Sequence, residues 1–142
     1  MSGVLQSPDR KLAALQSNGS KLILLVDDSY AERLAIRSGI ELLTGFRVCE
    51  ASNGAEAILK VRELKPKPDL ILMDLAMPIM NGLAASFVFK NQMPNIPVVV
   101  LTLYADAVSP HKRMLLGLRA VLDKTDGLSA VLACLRKVLK SD

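Results

Sequence analysis

The sequence of 142 residues has few cysteines, few aromatic residues and no long apolar run. Its two cysteines, Cys49 and Cys134, lack metal-site or redox spacing, so we expect ordinary small apolar residues in a reducing compartment. The longest apolar runs are strand-sized, and charged residues near the N-terminus stand where a signal peptide needs an apolar core. We therefore expect a soluble cytoplasmic protein with no membrane partner.

A glycine fingerprint for dinucleotide binding is also missing, because the first apolar run leads into the sequence DDSYAE. No internal repeat or low-complexity tract is present. The net charge of +4 has its basic excess in residues 107–142. Arg136, Lys137 and Lys140 suit the exposed side of a last helix, so we do not infer direct nucleic-acid binding by this domain.

The length and composition suit one domain. Residues 1–20 are rich in Ser, Asn, Gln and Gly, which predicts a flexible N-terminal extension, and residues 21–142 form the folded domain. The 51% hydrophobic and 4% aromatic content agrees with an α/β core built from Leu, Val, Ile and Ala.

Strand and helix patterns alternate five times along the domain. The predicted strands cover residues 22–26, 46–51, 70–73, 98–101 and 120–122. This alternation predicts an α/β fold with a doubly wound, five-stranded parallel sheet and right-handed crossovers. The second strand alternates apolar and polar residues like a half-exposed edge strand, which favours the order 2-1-3-4-5.

Helix signals fill the intervals between these strands. Leu34, Ile40 and Leu43 predict a first helix that ends near Gly45. Ser109-Pro110 is a start signal for a short fourth helix. The apolar stripe of the last helix consists of Leu128, Val131, Leu132, Leu135 and Leu139.

Asp74 follows the buried third strand, at the edge of the sheet where open α/β folds bind ligands. Pro78 and the pair Asn81-Gly82 predict a loop that leads from it into the next helix. Taken alone, the pattern leaves two interpretations open: a chemically active carboxylate, or an acid that caps the next element.

A second acidic site, Asp27-Asp28, follows the first strand. Three carboxylates would then share one edge of the sheet, and close like charges oppose ionisation unless a cation neutralises them. Oxygen ligands suit Mg²⁺, with Mn²⁺ as the alternative metal. The competing interpretation, that Asp28 or Ser29 only caps the following helix, accounts for one of these residues but not for all three acids.

Two further strands end in polar residues, Thr102 and Lys124. A hydroxyl and an ammonium are the groups needed, beside a metal, to hold a phosphoryl group on Asp74. Singly, each is more often a structural threonine or a solvated lysine. Their combination and order are specific.

These residues resemble the receiver domains of bacterial two-component response regulators, of which the chemotaxis receiver is the single-domain example. The similarity covers Lys21 to about Lys140. The motifs that carry it are VDDS, MDLAMPIMNG around Asp74, NGAEA at residues 53–57, VLT with Thr102, and LDK with Lys124.

The resemblance implies a flavodoxin-like receiver fold in which Asp74 is the phosphoacceptor. It implies that Thr102 and Lys124 contact the phosphoryl group. It also implies a magnesium site made by Asp27, Asp28, Asp74 and the main-chain carbonyl of Ala76. The implied donor is a sensor histidine kinase or a histidine phosphotransfer protein. Such a domain is not an independent enzyme, since it catalyses only its own phosphorylation and dephosphorylation, and it switches partner binding.

One position departs from the family pattern. The family couples its threonine, here Thr102, to an aromatic residue three positions before the lysine, but this chain has Val121 there. A valine has no ring to move. Tyr104 is the available substitute, and the alternative is that it is an ordinary residue at the edge of the sheet.

The output of the domain has two interpretations. The ending DKTDGLSAVLACLRKVL resembles receivers that precede a helix-turn-helix DNA-binding domain, yet the chain stops at Asp142. We therefore expect either a stand-alone receiver that acts on a downstream output protein or a fragment that lacks a C-terminal output domain. A dimer through the fourth helix, fifth strand and fifth helix is expected by family analogy alone.

Two other functional classes compete with this interpretation. A pseudo-receiver would act as a phosphorylation-independent protein-binding module; Val121 favours it, whereas the intact acid set argues against it. A magnesium phosphohydrolase also starts from a strand-end aspartate. That type usually carries a second, acid-base aspartate where this chain has Ala76, which argues against it.

Overall fold

The computed structural model describes residues 20–75 and 81–140. Within these ranges, five parallel strands form one sheet in the order β2-β1-β3-β4-β5, which confirms the predicted topology. The strands are β1 (Leu22–Val26), β2 (Arg47–Ala51), β3 (Leu70–Met73), β4 (Val98–Thr102) and β5 (Leu118–Asp123). The α-helices are α1 (Tyr30–Thr44), α2 (Gly54–Glu63), α3 (Gly82–Gln92), α4 (Pro110–Leu115) and α5 (Gly127–Val138). Two 3-10 turns cover Ala105–Ala107 and Lys124–Asp126.

Of the predicted N-terminal extension, residues 1–19 lie outside the described residues. Ser20 is described, and its hydroxyl donates to the carbonyl of Gly45 over 3.1 Å. Over the two described ranges, none of the helices has the length and apolar character needed to cross a membrane.

The sheet is buried on both faces. Alternate side chains of β1 and β3 point to opposite sides, so each strand contributes to two separate apolar clusters. One cluster joins the sheet to α2 and α3, and the other joins it to α1 and α5. Each fully buried Leu or Ile contributes about 1.5–3 kcal/mol of transfer free energy, which makes these two layers the main source of stability.

The predicted helix ends are confirmed by their capping contacts. Ser29 accepts the backbone N–H of Glu32 at the start of α1, and Gly45 ends that helix with a left-handed φ of 77°. Ser109 caps α4 by accepting from Lys112, and Pro110 takes the first helical position.

Two details differ from the sequence-based expectations. Leu34 and Leu43 are 49% and 54% exposed, and only Ile40 of the predicted stripe is buried. Leu34 precedes Ile40 by six residues, about 120° away around the helix, so the two cannot face the same layer. The last strand begins at residue 118, two residues earlier than predicted.

An ion-pair network joins α1 to the edge strand β2. Glu50 accepts a hydrogen bond of 2.9 Å from Arg33 Nε and one of 2.6 Å from Arg37 Nη1. Arg37 also contacts Glu41 at 3.2 Å. The hydrogen bond from Arg37 is the main reason that the pKa of Glu50 is lowered from its ordinary value, and Arg33 adds to it.

We expect Glu50→Gln to reduce the free energy of unfolding by about 0.5–1 kcal/mol at pH 7, because these partly exposed ion pairs lose a charged acceptor. A carboxyl whose pKa is lower in the folded than in the unfolded protein stabilises the fold above the unfolded pKa. That contribution disappears as the pH falls through the folded pKa. The difference between wild type and variant should therefore shrink in the acid range below about pH 4.5.

Urea unfolding at a series of pH values measures this difference. Glu41→Gln is the matched control, because Glu41 shares Arg37 but is more exposed, and it should cost less. A Glu50→Gln penalty that stays constant down to the acid limit would contradict the assignment.

Candidate functional site

The register of β1 and β3 brings Asp27 and Asp74 together. Val26 pairs with Met73, so each aspartate lies one residue beyond a matched pair. The Asp74 N–H donates to the Val26 carbonyl over 2.9 Å, and the Asp27 N–H donates to the Ala51 carbonyl over 3.1 Å. Both residues are buried, with 2% of the surface of Asp27 and 9% of that of Asp74 exposed. Two of the three carboxylates expected at the carboxyl edge of the sheet, those of Asp27 and Asp74, therefore lie side by side there.

Lys124 provides the positive charge at this edge. It begins the 3-10 turn that follows β5, and its Nζ lies 3.0 Å from Asp74 Oδ2 and 3.2 Å from Asp27 Oδ2. A third carboxylate, that of Glu32, lies 2.9 Å from the same nitrogen. An ammonium has three N–H donors, which matches these three acceptors.

Glu32 is a residue of the site that the sequence analysis missed. It occupies the third helical position after the Ser29 cap, where a glutamate ordinarily reaches back to the cap N–H. Here the Ser29 N–H donates to Asp27 Oδ1 over 2.8 Å, and the Glu32 carboxylate accepts from Lys124 instead. One feature of the sequence could have indicated this role: Glu32 lies about one helical turn after the acidic pair Asp27-Asp28.

The electrostatics of the cluster follow from burial and from the lysine. Burial raises the pKa of Asp27. The hydrogen bond from the Ser29 N–H and the positive charge of Lys124 partly offset this increase. The hydrogen bond from Lys124 lowers the pKa of Glu32. Burial works to lower the pKa of Lys124, but hydrogen bonds to Glu32 and Asp74 outweigh it and raise that pKa. The lysine is therefore charged at neutral pH, and the carboxylates outnumber it.

The donor set fits a divalent cation. Among the described residues, Asp27, Glu32 and Asp74 each offer a carboxylate oxygen, and these oxygens lie within 4.8 Å of one another. Oxygen-only ligands suit Mg²⁺ and Mn²⁺. Asp28, also predicted as a ligand, has an exposed side chain and its role stays a prediction. Ala76, whose carbonyl was predicted as a further ligand, lies outside the described residues.

Thr102 ends β4 and is fully buried. Its Oγ1 accepts the backbone N–H of Tyr104 over 3.1 Å, so the threonine is tied to the loop that follows it. The Tyr104 side chain is 60% exposed, and Val121 is half-buried against the apolar cluster on the α2 and α3 side. The switch roles of Thr102, Tyr104 and Val121 stay predictions.

The start of α3 lies close to Asp74. Asn81 caps α3 by accepting the Ala84 N–H over 2.9 Å, so the cap of this helix is Asn81 and not Asp74. Gly82 donates its N–H to the Leu75 carbonyl over 2.8 Å. A Cβ on Gly82 would lie 2.2 Å from the Asp74 carbonyl oxygen, so only glycine fits there.

A comparison with known protein families identifies the family of this chain. The family described as response regulator receiver domain matches residues 23–136. The chain belongs to this family. Receiver domains are components of two-component signal transduction, so the resemblance proposed from the motifs is confirmed.

Curated and solved relatives agree with the assignment. Response regulator protein VraR of Staphylococcus saprophyticus is 36% identical over 121 residues, which cover 84% of this chain and 57% of VraR. The chain therefore spans little more than half of that relative. The phosphorylated cyanobacterial phytochrome response regulator RcpA has 26% identity and a TM-score of 0.75, covering 87% of this chain and 97% of RcpA. Response regulator TrrA of Thermotoga maritima, solved with Mg²⁺-BeF, has 23% identity and a TM-score of 0.75 over 83% of this chain and 98% of TrrA, which shows the shared fold.

Proposed function

We propose that this receiver domain accepts a phosphoryl group on Asp74 in a reaction that requires a divalent cation, and that phosphorylation switches its binding to a partner. The observation that carries the proposal is the position of Lys124 Nζ, 3.0 Å from Asp74 and 3.2 Å from Asp27. A buried carboxylate beside a fixed ammonium and a second buried carboxylate is suited to receive a negatively charged group.

The chain's own residues have separate roles in this reaction. An Asp74 carboxylate oxygen forms a bond to phosphorus while the bond between phosphorus and the donor nitrogen of a phosphohistidine breaks. Lys124 offsets the negative charge on the transferred oxygens, and the Thr102 hydroxyl donates a hydrogen bond to one of them. A bound Mg²⁺, held by Asp27 and Asp74 with Asp28 and the Ala76 carbonyl as further predicted ligands, would supply additional positive charge. Positioning and electrostatics account for the catalysis.

The phosphodonor in this proposal is a sensor histidine kinase or a histidine phosphotransfer protein. Support for this class of donor comes from the family. Phosphorylation and metal binding themselves are supported by RcpA, which is described as phosphorylated, and by TrrA, which is described in complex with Mg²⁺-BeF. The output is a downstream protein or an output domain on the same chain.

We expect incubation with acetyl phosphate and Mg²⁺ to add one phosphoryl group to most of the protein, because a small phosphodonor can reach the carboxyl edge of the sheet. Intact mass spectrometry measures the addition. Excess chelator should remove it, and Mn²⁺ should restore it, because the carboxylate donors suit both metals.

Folded protein that binds Mg²⁺ but is labelled neither by acetyl phosphate nor by a phosphorylated histidine kinase would contradict the proposal. That result would favour the phosphorylation-independent binding module. Labelling that survives the chelator would contradict the metal requirement alone.

A further inference from the structure

Lys124 is shared by three carboxylates that differ in burial. The side chains of Asp27 and Asp74 are 3% and 10% exposed, whereas that of Glu32 is 47% exposed. The two buried acids belong to the proposed metal site, and Glu32 reaches the lysine from the rim on α1. The same lysine therefore connects the interior of the site to its edge.

Lys124 competes with a divalent cation for Asp27 and Asp74. A cation held by these aspartates would lie close to the ammonium that already contacts both of them, and like charges at short separation repel strongly. Cation binding must therefore weaken the two contacts of Lys124 with the buried acids. The lysine side chain is only 14% exposed, so an ammonium left without a carboxylate there would be costly.

Glu32 offers the lysine another partner. Its carboxylate contacts the ammonium at 2.9 Å and, with a side chain that is 47% exposed, lies nearer to the solvent than either aspartate. A cavity of about 240 Å³, lined by Glu32, Lys124 and apolar side chains of α1 and α5, lies beside this ion pair. This cavity leaves room beside the lysine, so its ammonium can move away from the two aspartates while it keeps its contact with Glu32.

We propose that Glu32 is a positioning residue that retains Lys124 at the rim of the site, so that a divalent cation can take Asp27 and Asp74 without leaving the ammonium unpaired. The inference rests on the proposed function, because it places the cation on those two aspartates. Without the cation, three carboxylates share the lysine. With the cation bound, Glu32 is the remaining carboxylate partner, so it should stabilise Lys124 more in this state.

A double-mutant cycle on Mg²⁺ affinity tests this role. Isothermal titration calorimetry would compare wild type, Glu32→Gln, Lys124→Met and the double variant. We expect Glu32→Gln to weaken Mg²⁺ binding about threefold to fivefold, in the range of a partly exposed charge pair. Lys124→Met should tighten binding, because it removes the competing cation. In the Lys124→Met background, Glu32→Gln should change the Kd by less than about twofold.

The alternative roles of Glu32 give different cycles. Equal weakening with and without Lys124 would mean that Glu32 acts directly on the cation, as a ligand or through its charge, and would overturn the inference. The absence of any effect of Glu32→Gln would overturn it as well. Glu41→Gln is the matched control, since Glu41 lies nine residues further along α1, about 13 Å away, and should leave the affinity unchanged.

Thermal unfolding of each variant verifies the fold, and Lys124→Gln replaces Lys124→Met if the latter does not fold. Failure of the inference is distinguishable from failure of the proposed function. A wild-type protein that neither binds Mg²⁺ nor becomes phosphorylated would refute the proposed function. A wild-type protein that does both, with an additive cycle, would refute only the role of Glu32.

Discussion

Asp74→Asn is expected to abolish labelling by acetyl phosphate while the protein stays folded. Asparagine has nearly the same shape as aspartate, but its amide is not a nucleophile toward phosphorus. The substitution also removes one of two like charges that share a buried site, and Asp27 and Glu32 remain as partners of Lys124. We therefore expect the free energy of unfolding to match or exceed that of wild type.

The matched control is Asp69→Asn. Asp69 directly precedes β3 and so lies at the opposite end of the strand from Asp74; its Oδ2 accepts the Leu22 N–H over 2.8 Å. An asparagine oxygen can accept the same hydrogen bond, so this variant should be labelled like wild type. Intact mass measures both variants, and urea unfolding measures their stability. Labelling of Asp74→Asn at the wild-type rate would show that the phosphoacceptor is a different residue.

Gly82→Ala is expected to damage the site without touching any charged group. The added methyl group would lie 2.2 Å from the Asp74 carbonyl oxygen and 2.8 Å from the Leu75 Cα. Both are backbone atoms, so no side-chain rotation can relieve the contact. The start of α3 or the segment that carries Asp74 must move, at a cost of about 1–3 kcal/mol. A shift of about 1 Å in Asp74 can reduce the labelling rate about 100-fold.

Gly39→Ala separates this effect from a general cost of replacing glycine. The three atoms nearest to a Cβ there all belong to the Leu128 side chain, which can adopt another rotamer. Alanine also raises the helix propensity at this position within α1. We expect Gly39→Ala to be labelled at the wild-type rate. Equal labelling rates of Gly82→Ala and Gly39→Ala, measured by intact mass over a time course, would contradict the structural role of Gly82.

Most of the fold could be predicted because its signals are local. The apolar run of β3 is followed at once by Asp74, and Thr102 likewise ends β4. Once the strand order is known, parallel pairing brings all strand ends to one edge of the sheet. The same logic explains why Asp27 and Lys124 were found without any distance information.

The burial of the helix faces was predicted less well. Leu34 and Leu43 looked like core residues in the pattern of α1, but both are exposed. The helix instead packs through Ile40, with Gly39 close to Leu128 of α5. Which residues face a neighbour depends on the rotation of a helix against the sheet and on the partner's side chains, and an irregular apolar stripe does not specify either.

The sequence by itself determined the parallel sheet, its strand order, the family and four of the side chains at the carboxyl edge, because each follows from a pattern within a few neighbouring residues. Only the tertiary structure revealed the contact between Glu32 and Lys124, which are 92 residues apart, and the close approach of Gly82 to the Asp74 carbonyl. Both depend on how separate elements pack, since atomic separations of 2–3 Å between distant segments are set by the packing of the whole domain.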